Sequence, residues 1–469
     1  MDGVDTDTDP ADVQTVNPAT GQPIATHPLM GSADVGRSID LAWDRWQEWR
    51  LLPVADRAEV VGRIGEHLTA RREELAQILT AEMGKPLKAA LAEVDKSAAA
   101  VRYIVAHAPA VLADDARDVD AAAGQPSAVV RHSALGPLLG IMPWNFPYWQ
   151  TIRFVVPAWI AGNVTLIKPA PETLGSAAAL QRVFDSSGLP PGVSQTLPVA
   201  VPAVAHIVAD PRIRGVSLTG SARAGRSVAA LAGRHLTKVV LELGGSDPFL
   251  VLADADVDAA AAAAVASRMQ NAGQSCIAAK RFLVHSAVAD QFLAAVRSAV
   301  DDLVVGDPTD PAVTMGPLAT EAARDSVHSQ VLASVSAGAR VVVGGHPVDR
   351  PGFFYEPTVL TAVTPQMRCA QEEVFGPVLA MSTFNDLNEV VATANSSPYG
   401  LAASVWTVDR AAVDSLASRL EVGQVFVNAM VVSDPRYPFG GVKDSGFGRE
   451  LGTEGFREFT NAKLLRVLG

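Results

Sequence analysis

Two cysteines occur in the 469 residues, Cys276 and Cys369, and only one has neighbours that suit a nucleophile. Cys276 closes Asn271-Ala-Gly-Gln-Ser-Cys276, where glycine and small polar residues can hold a thiol on an accessible turn after an alanine-rich stretch. A thiol attacks only when it is reachable and its thiolate is stabilised. Cys369 stands at the edge of an acidic segment without a cluster of donors, as a small packed side chain would. Glu242, in Val-Val-Leu-Glu242-Leu-Gly-Gly245, ends an apolar run just before a Gly-Gly turn. Partial desolvation there raises a carboxyl pKa and suits a general base; the plainer alternative is a strand-end glutamate facing water. Asn145 lies between two prolines in Pro143-Trp144-Asn145-Phe146-Pro147 and can offer its amide N–H to a developing oxyanion. Without chemistry, the same segment is an apolar packing loop.

A fourth stretch, Leu218-Thr219-Gly220-Ser221-Ala-Arg-Ala-Gly225, follows a strand pattern and opens a helix. Glycines in that place let the backbone approach a pyrophosphate at the helix N-terminus, although GxGxxG itself is absent. The same residues nearly match a P-loop: Gly220 and Gly225-Arg226-Ser227 have Walker A spacing with Arg for Lys, and 249–254 can pass for the Walker B strand of a phosphotransferase. The P-loop lysine acts as a compact point charge, for which the planar guanidinium is a poor substitute. A phosphotransferase would also leave Cys276, Glu242 and Asn145 without a task. No serine has glycine at both −2 and +2, the histidines form no i,i+4 pairs, and CxxC does not occur. Neither a nucleophile elbow nor a metal site follows.

These residues need a scaffold, and composition bounds it. With 38 Lys+Arg against 50 Asp+Glu the formal net charge is −12, which argues against a nucleic-acid coat or a membrane-surface protein. Two cysteines fit a reducing compartment, and the acidic first ten residues are the reverse of a secretory n-region, so a cytoplasmic protein is expected. The uncharged run 133–152 reaches membrane length but carries three prolines, which points to a buried irregular segment. After an acidic tail and turn signals to about residue 28, residues 34–113 show a helical period and 128–141 an extended pattern broken at Gly136-Pro137. Strand patterns at 164–167, 193–197, 215–218 and 239–243 alternate with helical ones at 174–184, 201–209 and 222–232. A second alternation starts at 249–252 and continues through 259–269 and 281–285. Strands joined by helices of this length make crossover units. The fold class expected is α/β, with two doubly wound parallel-sheet domains divided near residue 244.

In this order the motifs resemble the NAD(P)-dependent aldehyde dehydrogenase superfamily over nearly the whole chain. Pro143–Pro147, Leu241-Glu-Leu-Gly-Gly245, Gly273-Gln-Ser-Cys276, Glu372-Glu-Val-Phe-Gly-Pro377 and Pro438-Phe-Gly-Gly-Val-Lys-Asp-Ser-Gly-Phe-Gly-Arg449 carry the resemblance. It implies a cofactor-binding domain over 1–114 and 134–243 and a catalytic domain over 244–437. A small β arm for oligomerisation, from 115–133 and 456–469, implies a homodimer or homotetramer. It also implies that Cys276 attacks the aldehyde, that Asn145 and the Cys276 N–H hold the oxyanion, and that Glu242 activates the water that hydrolyses the thioester. Acylating relatives usually lack that glutamate, so release of a free acid is favoured. By the same resemblance Lys168 and Glu373 hold the two riboses, Phe375 supports the nicotinamide side, and Trp144 lines the cofactor cleft. Thr219, Gly220, Ser221 and Gly225 form the pyrophosphate loop. Many NAD-preferring members carry a glutamate three positions after the lysine; here Pro171 stands there, beside Glu172, which leans the expectation to NADP or to dual use. Arg153 occupies the position of a substrate-binding arginine in succinate-semialdehyde dehydrogenases, where a guanidinium takes a distal carboxylate. A structural salt bridge is its alternative role. A second arginine of those enzymes is replaced by Gln270, and Ser433 stands where a hydroxyl often meets the carboxylate. Oxidation of succinate semialdehyde is therefore expected, with a broader aldehyde range (glutarate semialdehyde or uncharged aldehydes) as the alternative.

Overall fold

The computed structural model describes residues 12–117 and 128–466. Its centre is a six-stranded sheet in the order Gly446–Phe447, Lys238–Glu242, Gly215–Thr219, Pro137–Ile141, Val164–Lys168, Ser194–Thr196. The last five run parallel, and Gly446–Phe447 joins the edge antiparallel. The chain starts at Pro137–Ile141, winds outward to Ser194–Thr196, then returns to build Gly215–Thr219 and Lys238–Glu242 on the other side. The topological switch point therefore lies between Pro137–Ile141 and Gly215–Thr219, where doubly wound sheets open a crevice at their carboxyl ends. The segments expected to carry chemistry, 143–147 and 219–221, leave the sheet there.

A second, seven-stranded sheet runs Arg340–Val343, Thr358–Thr361, Val378–Phe384, Arg281–His285, Pro248–Val251, Ala402–Trp406, Gln424–Val427, parallel except for its first pair. Each sheet has its own packed core, with Trp49, Trp159 and Phe184 in the first and Phe249, Phe282 and Phe292 in the second. The two parallel sheets agree with the α/β expectation.

The helical stretch expected over 34–113 is four helices, Ser32–Trp49, Val54–Ala70, Arg72–Met83 and Leu87–Val111. Pro53 and Pro86 precede two of them, and Gly84, at φ 83°, gives the left-handed cap that ends a third. The turn signals near residue 20 close a hairpin of Val13–Asn17 and Gln22–His27, with the Gly21 N–H donating to Asn17 O at 2.7 Å. Residues 1–11, most of the expected acidic tail, lie outside the described residues. Of the expected arm, 118–127 and 467–469 also lie outside them. Residues 456–458 end the helix Gly452–Glu458, and the strands Thr460–Arg466, Ala128–Ala134 and Asp115–Arg117 form a three-stranded antiparallel sheet. Among the described residues no helix is long and apolar enough to cross a membrane, and 133–152 divides into strand, loop and the buried helix Pro147–Ile160.

Candidate active site

Cys276 is presented by a loop that the backbone alone would not favour. After the helix Val257–Met269, Asn271, Ala272 and Gly273 all take left-handed φ values of 55°, 53° and 75°. For residues with a Cβ that region costs about 1–2 kcal/mol each and persists only where the surroundings impose it. Gln274 imposes part of it, its Nε2 donating to Asn271 O at 3.1 Å while its Oε1 accepts from the Ala319 N–H at 2.9 Å. Arg268 donates to the carbonyls of Gly273 and Ala279, and the buried Lys280 ammonium donates to those of Ser275 (2.9 Å) and Cys276 (2.6 Å). At Gly273 only glycine fits, because a Cβ would stand 2.2 Å from Gly376 O. The outcome is a half-buried free thiol whose backbone N–H has no acceptor among the described residues. Burial pushes the thiol up to about 11, against the pull of Arg153 and Lys280. Cys369 is fully buried, with its N–H on Ser334 Oγ at 3.1 Å, and reaches no cleft described here.

Asn145 lies against this loop. Its Nδ2 donates to Gln274 O at 3.0 Å, which leaves the second amide hydrogen free, and its own carbonyl accepts from Lys85 Nζ at 2.9 Å and Asn271 Nδ2 at 3.2 Å. Lys85 pairs in turn with buried Glu93, whose other oxygen accepts from the Tyr148 and Trp149 N–H groups at 3.0 and 3.2 Å. The N-terminus of the Pro147–Ile160 helix, which lacks a side-chain cap of its own, is thus capped from the Leu87–Val111 helix. Neither Lys85 nor Glu93 was legible as a site residue.

Glu242 ends its strand almost fully buried, with neither carboxylate oxygen hydrogen-bonded. Desolvation first, and the neighbouring Glu450 second, hold its carboxyl well above the usual carboxylate range, opposed by Arg153 and Arg449. The strand-end glutamate facing water is therefore not what the fold builds. Glu242, Asn145 and Cys276 line one cleft of about 740 Å³ at the switch point.

Trp144, Thr219, Gly220, Ser221, Glu373 and Phe375 line the same cleft. Thr219 Oγ1 is buried without a partner, and Ser221 caps the helix Ala222–His235, its Oγ accepting from the Ala224 N–H at 3.3 Å. Trp144 and Phe375 meet edge to face at 5.7 Å. An unsatisfied hydroxyl at a helix N-terminus beside an aromatic wall fits a dinucleotide's pyrophosphate and planar ring. Gly225 lies a turn deeper and packs on the strand, since a Cβ there would meet Leu243 at 2.5 Å. Lys168 lines an adjoining cleft with Arg223 and Arg234, whereas Glu172 lines a different one with Glu82. Arg226, which stands where a P-loop lysine would, pairs with Asp444 at 2.6 Å on the surface, so the phosphotransferase alternative lacks its central charge.

On the other side of Cys276 a cleft of about 830 Å³ is lined by Arg153, Gln270 and Ser433, the three expected substrate residues. Gln150 and Cys276 line both this cleft and the one at the switch point. Arg153 is fully buried on its helix, pairs with Glu450 and lies over the Phe439 ring at 4.7 Å. The salt bridge weighed as its alternative exists, but with the C-terminal segment rather than along the helix, and it coexists with a place in the cleft wall. Gln270 is exposed. Ser433 Oγ accepts from Lys96 Nζ at 2.7 Å and from Trp149 Nε1 at 3.1 Å.

Residues 4–465 match the model of the aldehyde dehydrogenase family. The chain belongs to that family. It is 46% identical over 456 residues to a succinate-semialdehyde dehydrogenase [NADP(+)] of Mycobacterium avium, covering 97% of this chain and 96% of that one. It is 44% identical to a probable enzyme of the same name from Synechocystis, over 97% and 99% of the two chains. The crystal structure of succinic semialdehyde dehydrogenase from Streptococcus pyogenes, in complex with NADP+, superimposes with a TM-score of 0.94 at 33% identity, covering 97% of this chain and 100% of that one.

Proposed function

We propose that the chain oxidises succinate semialdehyde to succinate with NADP+. The observation that carries the substrate class is the cleft beyond Cys276. Its wall holds Arg153 and the Ser433 hydroxyl, groups suited to a carboxylate, in a chain whose relatives at 44–46% identity bear that name. Cys276 gives up its thiol proton to solvent, its Sγ bonds to the aldehyde carbon, and the carbonyl π electrons move to oxygen. The second amide hydrogen of Asn145 and the Cys276 N–H receive that oxyanion. NADP+, when bound, supplies the hydride acceptor that turns the thiohemiacetal into a thioester. Glu242 Oε takes a proton from water as the water oxygen bonds to the acyl carbon. The C–S bond then breaks, and the thiolate leaves with succinate as product.

Preference for NADP is supported by two placements: Pro171 in place of a carboxylate, and Arg223 and Arg234 in one cleft with Lys168. A 2′-phosphate there meets these cations, against the charge of Glu172: burial lowers the Lys168 pKa, and Glu172 is close enough to pull it back up. The three-stranded sheet leaves Thr460–Arg466 as an edge with Leu464 and Leu465 exposed, which suits pairing with a second copy in a homodimer or homotetramer. A nucleophilic free thiol suits the reducing cytoplasm.

A broader aldehyde range is the alternative, favoured by the engagement of Arg153 with Glu450 and by Gln270 in place of an arginine. Initial rates of NADPH or NADH formation for succinate semialdehyde and butanal, each with NADP+ and NAD+, decide. The proposal expects kcat/KM at least about tenfold higher for the semialdehyde and for NADP+. Equal values for both aldehydes, or preference for NAD+, refute the respective half.

A further inference from the structure

The helix Leu87–Val111 sends one face into the cleft beyond Cys276. Ala89, Ala92, Glu93 and Lys96 all line it, and their i, i+3, i+4, i+7 spacing places them on a single stripe. The alanines keep the groove open, and Glu93 is committed to Lys85 and the N-terminus of Pro147–Ile160. Lys96 is different. Its ammonium donates to Ser433 Oγ at 2.7 Å and lies 4.3 Å from the Trp149 ring centroid, and among the described residues no carboxylate comes within ion-pair distance. The nearby Asp434 is held by Arg436 at 2.6 Å. A half-buried ammonium with neutral partners keeps N–H donors and a full charge for an incoming group.

Ser433 completes the arrangement. Its oxygen already accepts from Lys96 and from Trp149 Nε1, which fills both lone pairs. Its hydroxyl hydrogen has no protein acceptor among the described residues, so it is available to the cleft. Lys96 and Ser433 thus meet as donors in the wall of the cleft that Arg153 and Cys276 also line.

We propose that Lys96 is a specificity-determining ligand of the substrate's distal carboxylate, closing with the Ser433 hydroxyl on the anionic end of a short ω-oxo acid. This rests on the reading of the chain as a semialdehyde dehydrogenase and adds a cation that the family resemblance did not assign. Lys96 is pushed down to about 8 by burial first and by the Arg153 charge second, while Glu93, Asp434 and Cys276 pull the other way. In the free enzyme it loses its charge as pH rises through that value, and its attraction for a carboxylate goes with it.

The test compares succinate semialdehyde with butanal, a neutral aldehyde of the same length, in wild type, Lys96→Met and Lys96→Arg. In Lys96→Met, kcat/KM for the semialdehyde should fall about ten- to a hundredfold more than for butanal, mainly through KM, and Lys96→Arg should restore part of the difference. In wild type the ratio of the two kcat/KM values should fall as pH rises from about 7 to 9.5. Titration of Cys276 cancels in that ratio, because both aldehydes need the thiolate. Equal loss for both aldehydes, or no loss for either, overturns the proposal. A wild-type ratio that stays flat with pH overturns it even if Lys96→Met fails to fold. A wild type that does not prefer the semialdehyde at all removes the substrate reading, and this proposal with it.

Discussion

Replacing Glu242 with glutamine separates two consequences of burying a carboxyl without a partner. The amide has the same shape, and neither Glu242 oxygen is hydrogen-bonded, so no contact is lost. What disappears is the ability to take a proton from water. General-base catalysis contributes about 10²–10⁴ in rate, or about 3–5 kcal/mol at roughly 1.4 kcal/mol per tenfold. Steady-state turnover should fall by that factor while the first turnover survives, so stopped-flow absorbance should record a burst of one NADPH per active site and then near arrest. Stability should move with pH in the opposite sense. The folded-state pKa of Glu242 is raised, so the wild-type fold binds a proton that the unfolded chain releases. The stability this contributes is complete below the unfolded-state pKa of about 4.3 and is lost as pH rises toward the folded value, at up to about 1.4 kcal/mol per pH unit. Glutamine has no such loss. The stability difference, Glu242→Gln minus wild type, should therefore grow as pH rises above about 4.3 in denaturant melts. A burst that vanishes together with turnover, or a stability difference that stays flat above that pH, would refute the role and the burial argument respectively.

Two other substitutions address the loop and the oxyanion site. Asn145→Ala removes the free amide hydrogen and should lower kcat about 10²–10³-fold, with the KM for NADP+ little affected; a drop below tenfold in single-turnover kinetics counts against the oxyanion assignment. Gly273→Ala places a Cβ 2.2 Å from Gly376 O at φ 75°. It should lower the Tm by a few degrees and abolish the NADPH burst, and near-normal calorimetry with full activity would mean the loop is freer than its geometry implies.

Much of this site was legible because its chemistry rides on short, local patterns. The Pro143–Pro147 clamp, the strand-end Glu242 and the Gly273–Cys276 turn each announce themselves within a few residues, and alternating strand and helix periods gave the doubly wound sheet that gathers them. The four separate helices in 32–111 were blurred because one amphipathic period runs through Pro53 and Gly84, whose breaks are set by single residues. What stayed hidden depends on distant pairings. The Arg153–Glu450 ion pair joins residues about three hundred apart, and Glu93 caps a helix from another helix. Lys96 belongs to no motif. Only its place on a stripe with Ala89 and Ala92 could have marked it, and a lysine on an amphipathic helix is ordinarily a solvated one. Gly225 reads as part of a phosphate loop in sequence, but the fold uses its missing Cβ for packing against Leu243.

The central claim is that Cys276 carries the acyl group of an ω-oxo acid between oxidation and hydrolysis. Intact-mass and peptide mapping of Glu242→Gln, quenched after one turnover with succinate semialdehyde and NADP+, tests it most directly. One succinyl group per chain, bound as a hydroxylamine-labile thioester to Cys276 and absent from Cys369, is the predicted result. An unmodified Cys276 in enzyme that has nonetheless released a stoichiometric burst of NADPH would contradict it.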